Sequence, residues 1–267
     1  MKTRIISGAV LVVLLIPTLL LGGYFMRVVL ALVSLGGIYE LHKVFKLEKE
    51  LLCVISFIAC IFYYIVYEFK KDILIPEIIG LFLLLVFIYV IAYPKYKFKD
   101  AMVPLIAFIY AGVLVSFIFK IRSMEAGEYL VWLIFISSWI CDTCAYFTGV
   151  FLGKHKAFPV LSPKKTWEGC VGGVLGGIIL GIVFAIIFGS KLSFLSSPVP
   201  AVSITVMVSS VLSIVGDLAA SAMKRENGIK DYSNLIPGHG GIMDRFDSVI
   251  YVAPVVYYML RFFAEIM

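Results

Sequence analysis

Charge is scarce in this sequence. Only 15% of its 267 residues are Asp, Glu, Lys or Arg, against 62% that are hydrophobic, and its mean hydropathy is +1.05. A soluble fold could not hide that much apolar surface, whereas several membrane-spanning helices could. A soluble basic patch is also missing. The net charge is +6, but the lysines and arginines fall in short connections between apolar runs. Nucleic acid is therefore not an expected partner; lipid head groups and anionic substrates are. Zinc spacing is absent too. Cys53, Cys60, Cys141, Cys144 and Cys170 lie in or beside apolar runs and read as small, buried, reduced side chains. Cys141 and Cys144 form a C-x-x-C without two further ligands at suitable spacing. No small-residue cleavage site follows the first apolar run, which starts at Ile5 after MKTR, so that run is expected to be a retained helix. No internal repeat supports an inverted-repeat transporter.

What the chain does have is a succession of apolar runs. A helix needs about 20 apolar residues to cross a bilayer. Nine candidate spans result, at 5–22, 24–44, 51–67, 73–93, 101–121, 129–152, 169–189, 200–222 and 248–266. Irregular backbone is not tolerated against lipid, so the expected fold is an all-α, polytopic membrane bundle. Pro17 and Pro104 fall inside spans and are candidates for kinks. Glu40 and His42 close the second span and read as side chains reaching for the membrane surface.

With a cytoplasmic N-terminus, 16 of the 23 lysines and arginines fall on the cytoplasmic side. The positive-inside rule then places the C-terminus outside and the loops 153–168 and 223–247 on one cytoplasmic face. The expected setting is a bacterial inner membrane. Residues 1–125 have few polar interruptions and read as accessory, lipid-facing or dimer-forming helices. Residues 126–267 hold the polar oddities and read as a catalytic bundle.

The first oddity is Asp142. An acid near the middle of a membrane helix costs about 2.5–3.5 kcal/mol on insertion scales, which demands a cation, a hydrogen-bond network or a wet cavity. Asp142, Ala145, Tyr146 and Gly149 share one helical face. The loop that follows holds Ser162-Pro163-Lys164-Lys165-Thr166 directly before a new helix. If Thr166 caps that helix, Lys164 and Lys165 stand beside a helix N-terminus, a fitting place for a phosphate or triphosphate. Gly169, Gly173, Gly177 and Gly181 then repeat every fourth residue, a close-packing signal for the bundle or for a homodimer seam.

A second cluster runs from Gly216 to Asp247. Asp217, Ser221, Lys224 and Arg225 form one stripe on a helix, from acid through hydroxyl to cations. That order suits a metal held deep with phosphates above it. Lys230 and Asp231 follow. In Pro237-Gly238-His239-Gly240-Gly241 the glycines free the backbone for positive φ and for an anion-binding nest. Asp244 and Asp247, three residues apart, can project together at the start of the last helix, with Arg245 between them.

These residues carry a resemblance. The stretch from Ser221 through Met223-Lys224-Arg225, Lys230-Asp231, Ser233, Ile236-Pro237, His239-Gly240-Gly241-Ile242 and Asp244-Arg245-Phe246-Asp247 resembles the signature of the CDP-diacylglycerol synthases, or phosphatidate cytidylyltransferases. Asp142-Thr143, Ala145-Tyr146, Gly149 and Gly153-Lys154 resemble a second family motif, and Ser162 to Gly169 a third. The likeness is dense from about 139 to 250 and diffuse before that.

The resemblance implies a nucleotidyltransferase that joins CTP and phosphatidate into CDP-diacylglycerol and pyrophosphate. It implies Mg²⁺, with Mn²⁺ as an alternative and room for a second cation. Asp142, Asp217, Asp244 and Asp247 are then the expected metal ligands. Ser162, Lys164, Lys165, Thr166, Ser221, Lys230, His239, Gly240 and Gly241 are expected around the nucleotide. Asp217, Asp244, Lys224, Arg225 and Arg245 are expected to carry catalysis. Two other activities stay open at this point: a CTP-dependent polyprenol or phytol kinase, and a cation-coupled transporter using Asp142 and Asp217.

Overall fold

The computed structural model describes residues 2–266. The helices are α1 (Lys2–Leu21), α2 (Gly23–Val44), α3 (Leu51–Phe69), α4 (Leu74–Ile91), α5 (Phe98–Arg122), α6 (Gly127–Leu152), α7 (Trp167–Phe188), α8 (Pro198–Glu226) and α9 (Met243–Ile266). Eight stretches among the described residues, one in each helix from α2 to α9, are long and apolar enough to cross a membrane, and α1 contributes the shorter apolar helix Ser7–Leu21. The chain is a multi-pass, all-helical membrane protein, as the apolar runs require.

Two boundaries differ from expectation. Helix α8 continues past 222 to Glu226, and α9 begins at Met243 rather than near 248. Hydropathy locates the apolar part of a helix, not its ends. Lys224, Arg225 and Glu226 are good helix formers, so the backbone ladder runs on past the apolar stretch. The loop 153–168 also contains structure. Strands β1 (Lys156–Phe158) and β2 (Ser162–Thr166) pair antiparallel, with Lys156 opposite Thr166 and Phe158 opposite Ser162.

The chain divides into two compact units. The first comprises residues up to Thr18, Tyr24–Ser116 and Asn227–Arg245. Its core is aromatic around Tyr63, which meets Tyr64 and Phe108 edge-on at 5.7 and 5.9 Å. Such pairs add about 0.5–1.5 kcal/mol beyond their area burial. The phenols are satisfied where they are buried. Tyr63 Oη lies 3.0 Å from Ser116 Oγ, and Tyr64 Oη lies 3.0 Å from Ser34 Oγ. Helix α5 passes through Pro104 and widens into a π-helical stretch at Phe108–Val113.

Glu40 and His42 correct an expectation. Neither reaches the surface: they are 1% and 0% exposed. His42 Nδ1 contacts the Ile38 carbonyl at 2.9 Å, and its Nε2 contacts Ser56 Oγ at 3.2 Å. The last turn of α2 lies inside the unit, where partners from its own chain replace water.

The second unit comprises Leu19–Gly23, Phe117–Glu226 and the described residues from Phe246 onward. Lipid tails are as apolar as leucine, so burial alone does not drive membrane helices together, and close approach of small residues does. The glycines of α7 supply that approach. A Cβ on Gly173 would stand 2.7 Å from the Cys141 carbonyl oxygen in α6. On Gly177 it would stand 2.7 Å from Ser210 Oγ in α8, and on Gly181 it would crowd Val206 at 3.0 Å. The face that the sequence offered to a bundle or a dimer packs between α6 and α8 of the same chain. Helix α9 approaches α8 in the same way, at Gly216, where a Cβ would stand 2.9 Å from the Asp247 carbonyl oxygen.

Candidate active site

Close packing of α6, α7 and α8 sets up a cavity of about 640 Å³ in the second unit. Asp142, Ala145, Tyr146 and Gly149, the four residues that helical spacing puts on one face of α6, all line it. The hairpin contributes Lys156, Ser162, Lys164, Lys165 and Thr166, and α8 contributes Asp217. Most of the expected residues of the second unit therefore meet in one place.

The hairpin is fastened at its base. His155 Nδ1 and Glu168 Oε1 are 2.6 Å apart, and Trp167 N donates to the His155 carbonyl at 3.0 Å. Thr166 has the extended backbone of an N-cap, and its Oγ1 accepts from Gly169 N at 3.1 Å. Thr166 caps α7 as expected. The cap has a consequence for the anion site, because the amides of Trp167 and Gly169 are both engaged. Fewer N–H groups are therefore left free at this helix N-terminus, while the Lys164 and Lys165 ammonium groups stand beside it.

Lys165 Nζ stands 2.6 Å from Asp217 Oδ2, with the two side chains 21% and 28% exposed. The contact joins an ammonium to a carboxylate and is an ion pair. Burial disfavours the Lys165 ammonium, but Asp217 and then Asp142 outweigh it, and its pKa lies above the ordinary lysine value. Asp142, Asp217 and Asp247 act electrostatically on one another, and Lys224 acts on Asp247. Three carboxylates thus share a low-dielectric region with two ammonium groups. Among the described residues no three His, Cys, Asp or Glu side chains form a ready-made metal cage. Ser221, Lys224 and Arg225 lie on the last two turns of α8, with Lys224 8% exposed.

Lys230, His239, Gly240, Gly241, Asp244 and Arg245 fall in the first unit. Ile236 to His239 form a tight turn in which His239 N donates to the Ile236 carbonyl at 2.9 Å. Pro237 and Gly238 occupy its centre, and Gly238 has φ 78°. Proline followed by a positive-φ glycine is the pattern of a type II turn. Gly240 also has positive φ, at 82°. Gly241 does not, and glycine is required there because a Cβ would stand 2.4 Å from Glu40 Oε1.

Glu40 is the residue that sequence reasoning missed. Its Oε1 accepts from Ser233 Oγ at 2.5 Å and from Ile242 N at 2.9 Å, and its Oε2 accepts from Met243 N at 2.8 Å. A carboxylate on α2 thereby satisfies free amides at the start of α9, where negative charge is favoured. The signal was present: Glu40 is an acid in an apolar run, open to the same question that singled out Asp142. Asp244 is 7% exposed, and its Oδ2 accepts from Tyr232 N at 2.8 Å and Gly241 N at 2.9 Å. Ser7 Oγ contacts His239 Nδ1 at 2.7 Å and donates to the Pro237 carbonyl at 2.9 Å.

The loop so held encloses a polar cavity of about 440 Å³, lined by Lys230, Asp231, Asn234, Gly238, His239, Gly240 and Arg245. Arg245 Nε is buried there without a hydrogen-bond partner among the described residues. An unsatisfied guanidinium N–H in a basic cavity suits an anionic ligand.

A sequence profile described as the cytidylyltransferase family matches residues 2–263. Among curated proteins, one from Staphylococcus haemolyticus named phosphatidate cytidylyltransferase is 30% identical over 267 residues, covering 97% of this chain and 99% of its own. Proteins of the same name from Staphylococcus aureus and Staphylococcus saprophyticus are 29% and 28% identical with the same coverage.

Proposed function

Because this chain belongs to the cytidylyltransferase family, we propose that it transfers the cytidylyl group of CTP to phosphatidate, forming CDP-diacylglycerol and pyrophosphate. The observation that carries this reading is the cavity in which Lys156, Lys164 and Lys165 stand with Asp142 and Asp217 in an otherwise lipid-facing bundle. A small-ion pathway has no use for that many cations. Two polyanions that must react do.

A phosphatidate phosphate oxygen attacks the α-phosphorus of CTP in line. The bond from that phosphorus to the bridging oxygen breaks, and pyrophosphate leaves with its electrons. A phosphate monoester is largely ionised near pH 7, so no strong general base is needed. Lys164 and Lys165 hold the triphosphate and offset the charge that develops on the leaving group. Lys224 and Arg225 add cations for the same purpose. In the second unit Ser162, Thr166 and Ser221 shape the nucleotide site, and in the first the loop with Lys230, His239, Gly240, Gly241 and Arg245 offers contacts to an anion, His239 as a contact rather than a base.

Asp142, Asp217 and Asp247 are the residues that would hold Mg²⁺ or Mn²⁺. Their carboxylate oxygens suit a hard cation, and Mg²⁺ is usually bound by one or two carboxylates together with substrate phosphates rather than by an all-protein cage. Once bound, the cation would screen the repulsion between the two anions. Asp244 acts first as a fastening for the glycine-rich loop, since Oδ2 already holds two amides. The division of labour we propose is chemistry in residues 126–267 supported by residues 1–125, with the site open to the cytoplasm of a bacterial inner membrane.

The test is pyrophosphate release by purified protein given CTP, phosphatidate and Mg²⁺, with ATP and dCTP as controls. Release that requires both CTP and phosphatidate is expected. Cation uptake into vesicles without pyrophosphate release would overturn the reading.

A further inference from the structure

A cavity of about 400 Å³ opens between α3 and α4 in the first unit. Ile55, Ile58, Phe62 and Leu84 make its walls apolar, and Glu77 lines it from the first turn of α4. Glu77 is 8% exposed, and both of its carboxyl oxygens lack a hydrogen-bond partner among the described residues. No basic side chain among the described residues acts on it. Only 11% of the spanning stretch that includes α4 is buried, so the cavity lies on an apolar helix that the described residues leave largely uncovered.

An acid placed this way is costly to the fold, and a ligand that donates hydrogen bonds to it would offset that cost. Two features define that ligand. The apolar walls and the uncovered apolar helix suit an acyl chain. The carboxyl calls for a donor, and with two orphaned oxygens it can use several donors at once. A hydroxyl brings one O–H, whereas a primary ammonium brings three N–H groups and the opposite charge. An anionic head group would add like-charge repulsion to an unpaired carboxylate, which separates this cavity from a site for phosphatidate.

We propose that this cavity is a binding site for a lipid bearing a primary ammonium, with the ammonium on Glu77 and a chain in the cleft between α3 and α4. The size is within the usual range for small-ligand cavities. Nothing in the cytidylyl-transfer reaction requires Glu77.

The experiment uses the full-length protein in detergent micelles, with native mass spectrometry and thermal-shift titration as readouts. The probes are phosphatidylethanolamine, its N-acetylated form, phosphatidylglycerol and hexadecylamine. Phosphatidylethanolamine should bind about tenfold more tightly than phosphatidylglycerol, and N-acetylation should abolish the preference. Binding of hexadecylamine alone would support a single-chain amine, and binding of both amines would support an aminophospholipid. Glu77→Gln should erase the preference while pyrophosphate release in phosphatidylglycerol micelles stays unchanged. Ala59→Phe, which fills the cavity and keeps the carboxyl, should also abolish it. Equal binding of amine and anionic lipids overturns the proposal. So does a preference that survives Glu77→Gln, or a loss of dimer mass in Glu77→Gln without any lipid selectivity, which would make a second copy the occupant.

Discussion

Lys165 Nζ and Asp217 Oδ2 meet at 2.6 Å, joining the last strand of a hairpin to the polar end of a membrane helix. Each needs the other. The ammonium would be stranded in a partly apolar cavity without the carboxylate, and the carboxylate would be uncompensated beside Asp142 and Asp247. Removing one partner of this half-buried pair leaves the other charge uncompensated. Lys165→Gln and Asp217→Asn should each lower turnover by about 100-fold or more while the protein still inserts. In a double-mutant cycle the two losses should be non-additive, measured by steady-state pyrophosphate release.

The same pair sets a pH dependence. A lysine held above its ordinary pKa contributes stability that is fully present below the unfolded value of about 10.4. That contribution is lost as the pH rises through the higher folded value. The Tm gap between wild type and Lys165→Met should stay constant from about pH 7 to 9 and narrow above about pH 10. Thermal unfolding in detergent across that range measures it.

Glu40 holds the glycine-rich loop through Ser233, Ile242 and Met243. Replacing one carboxylate oxygen by an NH₂ group turns an acceptor into a donor facing a backbone N–H, at about 1–3 kcal/mol. Glu40→Gln should raise the KM for CTP more than it lowers kcat. Glu40→Asp, which keeps two acceptor oxygens, should recover part of the loss. An unchanged KM would separate the loop from the nucleotide.

The α7 glycines leave no room for a side chain. A Cβ at 177 would stand 2.7 Å from Ser210 Oγ, so Gly177→Val should destabilise the bundle by about 1–3 kcal/mol through overpacking. Gly80, where a Cβ would meet nothing within 4 Å, is the control that should tolerate alanine. Detergent-extracted yield and Tm distinguish the two.

Chelation should abolish turnover, and Mg²⁺ should restore it. Asp142→Asn should shift Mg²⁺ half-saturation upward while leaving the KM for phosphatidate nearly unchanged, as read from Mg²⁺ titrations of pyrophosphate release.

The sequence made the helices legible because about 20 apolar residues have few other destinations. It also exposed the Asp142 face, because a 3.6-residue period fixes which side chains share a direction. Thr166 was legible as a cap from its place before an apolar run. The hairpin at Lys156–Thr166 was not, because strands this short have no hydrophobic alternation to reveal them. Glu40 was misread because its partners lie about 200 positions away, in amides that carry no residue-type signal. Hydropathy treats a buried acid and a surface acid alike at a helix end, and only the far partner tells them apart.

Cytidylyl transfer moves cytidine to lipid together with the α-phosphate. CTP labelled at the α-phosphate and, separately, at the γ-phosphate tests it with phosphatidate and purified protein. The α-label should enter the lipid one for one with pyrophosphate released, and the γ-label should appear only in pyrophosphate. Recovery of γ-label in the lipid would contradict the account and make the protein a lipid kinase.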